Sequence, residues 1–174
     1  MKSVRIIILF LLCFSSCNGQ TKSPDLSKVV KEQAEKMAHF LIEKDFDSFN
    51  NYTYPKIIEM MGGKKAMVEV MERGSKEMES EGTKILKVTL GEPSKILTEN
   101  KELQCTLSQE IEMKVSNGRL VSKSTLIAIS TDNGEKWYFM DASGKDILTM
   151  KSMLPNLSAE LIIPKQSTPV FYKD

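Results

Sequence analysis

One histidine stands in the sequence, His39, next to Phe40 in an apolar-periodic stretch. An imidazole with an ordinary pKa near 6.5 suits general base or metal-ligand work, but a single histidine has no second to share either task. Two acids, Asp45 and Asp47, precede Tyr52 and Tyr54, and a tyrosine hydroxyl beside a carboxylate is a donor–acceptor set for a carbonyl or a sugar. Asp141 closes the aromatic run Trp137-Tyr138-Phe139-Met140 in a comparable position. Asp45, Asp47, Tyr52, Tyr54, Trp137 and Asp141 are therefore the candidates for a pocket. Each has a plainer competing role: a helix cap for Asp45 or Asp47, packing for the tyrosines, a strand-ending turn for Asp141, and core for Trp137 with Phe139.

The remaining chemistry is excluded by what is absent. The sequence holds no GxSxG elbow, no HExxH pair and no phosphate-cradling glycine loop, so no catalytic residues, metal site or cofactor is expected. Met67 with Met71, and Met150 with Met153, sit at helical spacing, where thioethers could hold Cu(I). Flexible core filling is the commoner use of methionine, and no His-Met cluster or CxxC pair supports copper. Lys+Arg number 24 and Asp+Glu 23. Near-neutrality argues against a nucleic-acid partner.

The first residues have the three-part plan of a secretory signal: Lys2 and Arg5, the apolar run from Ile6 to Leu12, then Ser15 and Ser16. The run is shorter than the roughly 20 residues that a membrane-spanning helix needs. Phe14-Ser15-Ser16-Cys17 resembles the lipobox of bacterial lipoproteins, with Phe14 where leucine is usual. That resemblance implies a signal peptide over 1–16, a diacylglyceryl group on the Cys17 sulfur and usually a fatty acid, such as palmitate, on its freed amine. At about 0.8 kcal/mol per buried methylene, two or three chains hold a domain on a membrane durably. Asn18 is not the acid associated with inner-membrane retention, so the implied destination is the outer membrane, facing the periplasm. The alternative is ordinary cleavage near Gly19, giving a free protein. If cleavage instead fell upstream of an unlipidated Cys17, a Cys17–Cys105 bridge would become conceivable in an oxidising space.

Residues 17–24 read as a short polar tether and 25–174 as a single domain, without repeats or a break in composition. Ser23-Pro24-Asp25 predicts a helix start with Ser23 as cap, and Leu26, Val29, Val30, Met37, Phe40 and Leu41 predict an amphipathic helix. Pro55 opens a short helix stopped by Gly62-Gly63, and Lys64 to about Ser80 is a longer one with Ala66, Met67, Val70, Met71 and Met78 on its apolar side. Beyond Gly82 the period changes to 2. Leu103, Cys105 and Leu107 alternate with Gln104, Thr106 and Ser108, which predicts a long antiparallel strand packed on one face and wet on the other. Asn117-Gly118 predicts a tight hairpin back to Ser130, and Asp132-Asn133-Gly134 the next turn. With Lys84–Leu90 and the aromatic run, the fold class is α+β: N-terminal helices packed on a curved antiparallel sheet of four or more strands. A short helix from Ile147, stopped by Pro155, and an extended Leu161-Ile162-Ile163-Pro164 follow.

The phrase Lys44-Asp45-Phe46-Asp47-Ser48-Phe49, then Tyr52-Thr53-Tyr54-Pro55, the Gly62-Gly63 stop, the long hairpin and Gly134-Glu135-Lys136-Trp137-Tyr138-Phe139 resemble small secreted members of the NTF2-like superfamily found in Bacteroidetes-type bacteria. The resemblance covers about Leu26 to Met140. It implies a cone in which a bent sheet wraps a long helix and leaves a pocket at the wide end. The function it implies is a non-catalytic, membrane-anchored envelope domain that binds a small molecule, a glycan or a protein. A small-molecule isomerase, dehydratase or hydrolase using an Asp/Tyr pocket, and a bridge between envelope proteins, are the alternatives.

Overall fold

The computed structural model describes residues 25–174; the leader, the tether and Cys17 lie outside the described residues. Helix α1 (Leu26–Glu43) is capped by Asp25, whose Oδ1 accepts the Ser27 backbone N–H at 3.1 Å. The cap is thus Asp25, two residues after the expected Ser23, and its carboxylate takes one of the helix's orphan donors. Lys44 ends the helix with φ of 59° and gives its N–H to Leu41 and Phe40. Three further helices follow: α2 (Phe46–Asn50), α3 (Pro55–Met60) and α4 (Lys64–Ser80). Pro55 takes the first turn of α3, where no N–H is needed, and Gly62 and Gly63, with φ of 87° and 97°, break the chain before α4.

The rest is an open antiparallel sheet of six strands: β1 (Lys84–Leu90), β2 (Leu97–Glu99), β3 (Glu102–Val115), β4 (Gly118–Ser130), β5 (Tyr138–Asp141) and β6 (Val170–Lys173). The β3–β4 hairpin is its axis. β1 and β2 lie one after the other along the free side of β3, and β5 and β6 do the same along β4. Val115 pairs with Gly118, so the hairpin loop is Ser116-Asn117, one residue earlier than the expected Asn117-Gly118. Gly118 opens β4 with φ of 150°, and a Cβ there would come within 2.1 Å of the Tyr172 carbonyl oxygen. Its missing side chain lets β6 close on β4. A second two-residue turn, Asn100-Lys101, joins β2 to β3 with both φ values positive.

Two cores share this sheet. On one face Val30, Ala34, Met37 and Ala38 of α1 pack on Cys105 and Leu107 of β3, Leu126 and Ala128 of β4, and Trp137 and Phe139. On the other, Ile127, Ile129 and Met140 pack against helix α5 (Ile147–Met153) and the chain after it, through Met150, Leu154, Leu157 and Leu161. The expectation of one wet face fails where this C-terminal strap crosses: Gln104 and Thr106 are buried. The alternation itself is present; the covering segment comes more than 50 residues later in the chain, and its backbone groups pair with those side chains.

Gln33 of α1 ties the helix to the sheet, accepting the Trp137 N–H at 2.9 Å and donating to the Glu135 carbonyl at 2.8 Å. The indole of Trp137, fully buried, donates to the Gly134 carbonyl at 3.1 Å. A core tryptophan needs such a partner. No helix of the described residues is long and apolar enough to cross a membrane.

Candidate functional site

The structure disperses the polar candidates. Asp45 caps α2, accepting the Ser48 N–H at 3.0 Å, and hydrogen bonds from Ser48 hold its carboxyl below the ordinary carboxylate range. Asp47 is exposed and pairs with Lys64 at 3.6 Å. Residues 52–54 run beside β5: the Phe139 N–H donates to the Tyr52 carbonyl at 2.7 Å, and the Tyr54 N–H to the Phe139 carbonyl at 3.0 Å. Alternation along this extended segment sends Tyr52 to the α1 core and Tyr54 to the strap core. Tyr52 lies 6.0 Å from Phe40 and under the Lys136 ammonium, 3.4 Å from its ring centre. Burial raises the Tyr54 phenol and lowers the Lys136 ammonium relative to their ordinary values.

Asp141 is exposed at the end of β5, where it accepts from the Ser124 hydroxyl at 2.7 Å, from the Gln109 amide at 3.2 Å and from the Ser143 backbone N–H. It fixes the strand end. None of the three carboxylates is buried, and among the described residues no hydrogen bond joins one to Tyr52 or Tyr54. Trp137 is a fully buried core residue. His39 is exposed beside Phe40. Met67 and Met150 are buried while Met153 is exposed, and no group of three histidine, cysteine or acidic side chains is placed to hold a metal among the described residues. Cys105 is a free, fully buried thiol, pushed up to about 12 by desolvation.

What the structure does assemble is an apolar groove of about 220 Å³ between the end of α1, α4 and the start of β1. Leu41 and Ile42 of α1 line it on one side, Met71 and Met78 of α4 on the other, and Ile85 of β1 also lines it. Phe46, buried to 7% exposure, is the floor. Charge is confined to the exposed rim, where Lys44 is ion-paired to Glu79 and Lys84 lies beside them. The Lys44 hydrogen bond and charge hold the Glu79 carboxyl below its ordinary range.

The groove exists because α4 meets the rest of the protein with only part of its apolar side. Met67 is its one buried residue, whereas Val70 is 39% exposed and Met71 and Met78 are half-buried. Gly74 sits between those methionines on the groove wall, and a Cβ built on it meets nothing within 4 Å. The sequence marked Leu41, Met71 and Met78 only as core-facing; a glycine interrupting the apolar face of a helix was the signal for open space.

Comparison with protein-family models, with curated proteins and with solved structures finds no match for this chain.

Proposed function

We propose that this chain is a lipid-anchored envelope protein whose domain binds a small apolar molecule without transforming it, in the groove between α1 and α4. The observation that carries the reading is Gly74. A glycine inside a helix costs about 0.5–1 kcal/mol relative to alanine, and here no neighbouring atom requires the side chain to be missing. Its effect is to leave the groove open. Apolar walls with charge restricted to the rim are the usual composition of a small-molecule site. The lining residues include no histidine, cysteine, aspartate or tyrosine, and its carboxylate, Glu79, is paired with a lysine. That set binds; it has no group poised for proton transfer.

The NTF2-like cone belongs to the same proposal. The resemblance implies a bent sheet that wraps a long helix and leaves a pocket at the wide end; the long helix α1 across one face of the antiparallel sheet supports that reading, and the strap over the opposite face would be this chain's own addition. Anchoring at Cys17 would hold the domain close to an outer membrane.

Methionine methyl NMR tests the site. Titration with 1-octanol should move the Met71 and Met78 methyl signals saturably and leave Met140 and Met150, in the opposite core, in place. Equal shifts at all four, or none, overturn the assignment.

A further inference from the structure

Resting on the groove reading above, we infer that the ligand is a single-chain amphiphile with one negative charge, a free medium-chain carboxylate in its simplest form. Three charged residues border the groove: Lys44, Glu79 and Lys84. Glu79 is engaged by Lys44 in a direct ion pair, and Lys84 adds its field to the same carboxylate from the first position of β1. Two cations against one anion leave one positive charge at the rim. One anionic head completes the set, whereas a cationic head would meet an excess of like charge.

The rim also supplies neutral donors suited to a carboxylate. Thr83 and Ser75, both hydroxyl-bearing, are among the lining residues, Thr83 directly before Lys84 in sequence and Ser75 beside Gly74 on α4. The floor and walls offer no such donor: Phe46, Leu41, Ile42, Met71 and Ile85 present only carbon and thioether sulfur. A head group is therefore accepted at the rim and refused inside, so a ligand enters tail first.

Size limits the tail. A groove of about 220 Å³ suits a short alkyl chain rather than a long one, and octanoate is a probe of that class. Methionines on α4 suit a chain of variable length, because their unbranched thioethers repack at little cost.

The experiment uses the full chain carrying Cys17→Ala, so that no attached lipid competes, and follows the Met71 and Met78 methyl signals during titration with octanoate and, separately, with 1-octanol. The expected result is that both bind at these methionines, that octanoate binds about five- to tenfold more tightly, and that Lys84→Glu removes this preference, read as the ratio of the two affinities. Lys84 is exposed at a strand end, so the substitution spares the fold. Equal affinity for the two probes, or a preference that survives Lys84→Glu, overturns the anionic ligand and leaves the groove reading standing. Failure of both probes to move either methionine overturns both.

Discussion

Gln104 in β3 grips the backbone of the C-terminal strap at Ser158: its Oε1 accepts the Ser158 N–H at 2.8 Å, and its Nε2 donates to the Asn156 carbonyl at 2.9 Å. Gln104 is fully buried, and Ser158 nearly so. One side chain thus satisfies two backbone groups that arrive more than 50 residues later in the chain, of which the Ser158 N–H would otherwise be buried without a partner. Thr106, two residues along the same face, repeats the device by donating its hydroxyl to the Ile162 carbonyl at 3.2 Å.

Removing the Gln104 amide should loosen the strap. Gln104→Ala leaves the buried Ser158 N–H unpaired and removes the partner of the Asn156 carbonyl, so a loss of roughly 1–3 kcal/mol, the cost of one buried unpaired group, is expected in denaturant unfolding. Gln104→Glu should be no milder: it keeps the acceptor for Ser158 but loses the donor, and sets a carboxylate beside Glu102, to which Gln104 now donates at 3.1 Å. Faster amide exchange at Ser158 than at Phe139 checks that the strap opens first; unchanged exchange there would show that the bracket carries no stability.

Much of this layout was legible in the sequence, and the reasons are local. Asp45 capping, Pro55 at a helix start, the Gly62-Gly63 break and the span of α4 follow from residues acting on their own neighbours. The burial of Trp137 and Phe139 on one face follows from strand alternation. The strap was not legible, since Gln104 and Thr106 carry the same letters whether they face water or a distant backbone. The dispersal of the Asp/Tyr set has a similar cause: Tyr52 and Tyr54 are near in sequence, but an extended segment sends them to opposite faces. The groove depends on how far α4 stands from α1, which no periodicity encodes.

Acid should weaken the helix and turn caps together. Asp45, Asp132 and Asp146 each accept backbone N–H groups, from Ser48, Lys136 and Thr149; hydrogen bonds from the Ser48 side chain and backbone hold the Asp45 carboxyl below its ordinary value, and the backbone bonds foremost do so for Asp132 and Asp146. A depressed folded pKa contributes stability that is present above the unfolded value and lost as pH falls through the folded one. Unfolding free energy should therefore fall as pH drops below about 4, the ordinary aspartate range. Asp146→Asn, which keeps a cap acceptor but cannot titrate, should flatten that slope; an unaltered slope would remove Asp146 from the set.

Cys105 should be inert in the folded protein and costly in alkali. Burial raises its folded pKa from the ordinary 9.0 to about 12, so above pH 9 the unfolded thiol ionises and the folded one does not. Stability contributed by the neutral thiol is then lost progressively as pH rises from 9 toward 12. A thiol reagent should react at the rate of unfolding, and Cys105→Ala should remove the thiol's share of the alkaline loss. Rapid labelling under native conditions would contradict the burial.

Anchoring makes its own prediction about Cys17. Expressed in a bacterium that processes lipoproteins, the chain should fractionate with membranes, and its N-terminal peptide should carry the mass of a diacylglyceryl cysteine. Cys17→Ala should release it from membranes. An unmodified N-terminus downstream of Cys17 would overturn the lipid anchor and leave the domain reading untouched.

Gly74→Ala separates stability from binding. With no atom within 4 Å of the added Cβ, the substitution should gain about 0.5–1 kcal/mol from helix propensity alone. A loss of stability would mean that the position is constrained by packing rather than kept open.

The most direct test of the groove as the binding site is the thermal midpoint of wild type and Gly74→Leu, each with and without 1-octanol. At about ten times Kd, linkage raises wild-type stability by about 1.4 kcal/mol, or roughly 3–6 °C in Tm for a domain of this size. Leucine at 74 fills the groove from its own wall, so the variant should melt no lower than wild type without ligand and show no shift with it. A variant that still gains the full shift, or a wild type that gains none, would contradict binding between α1 and α4.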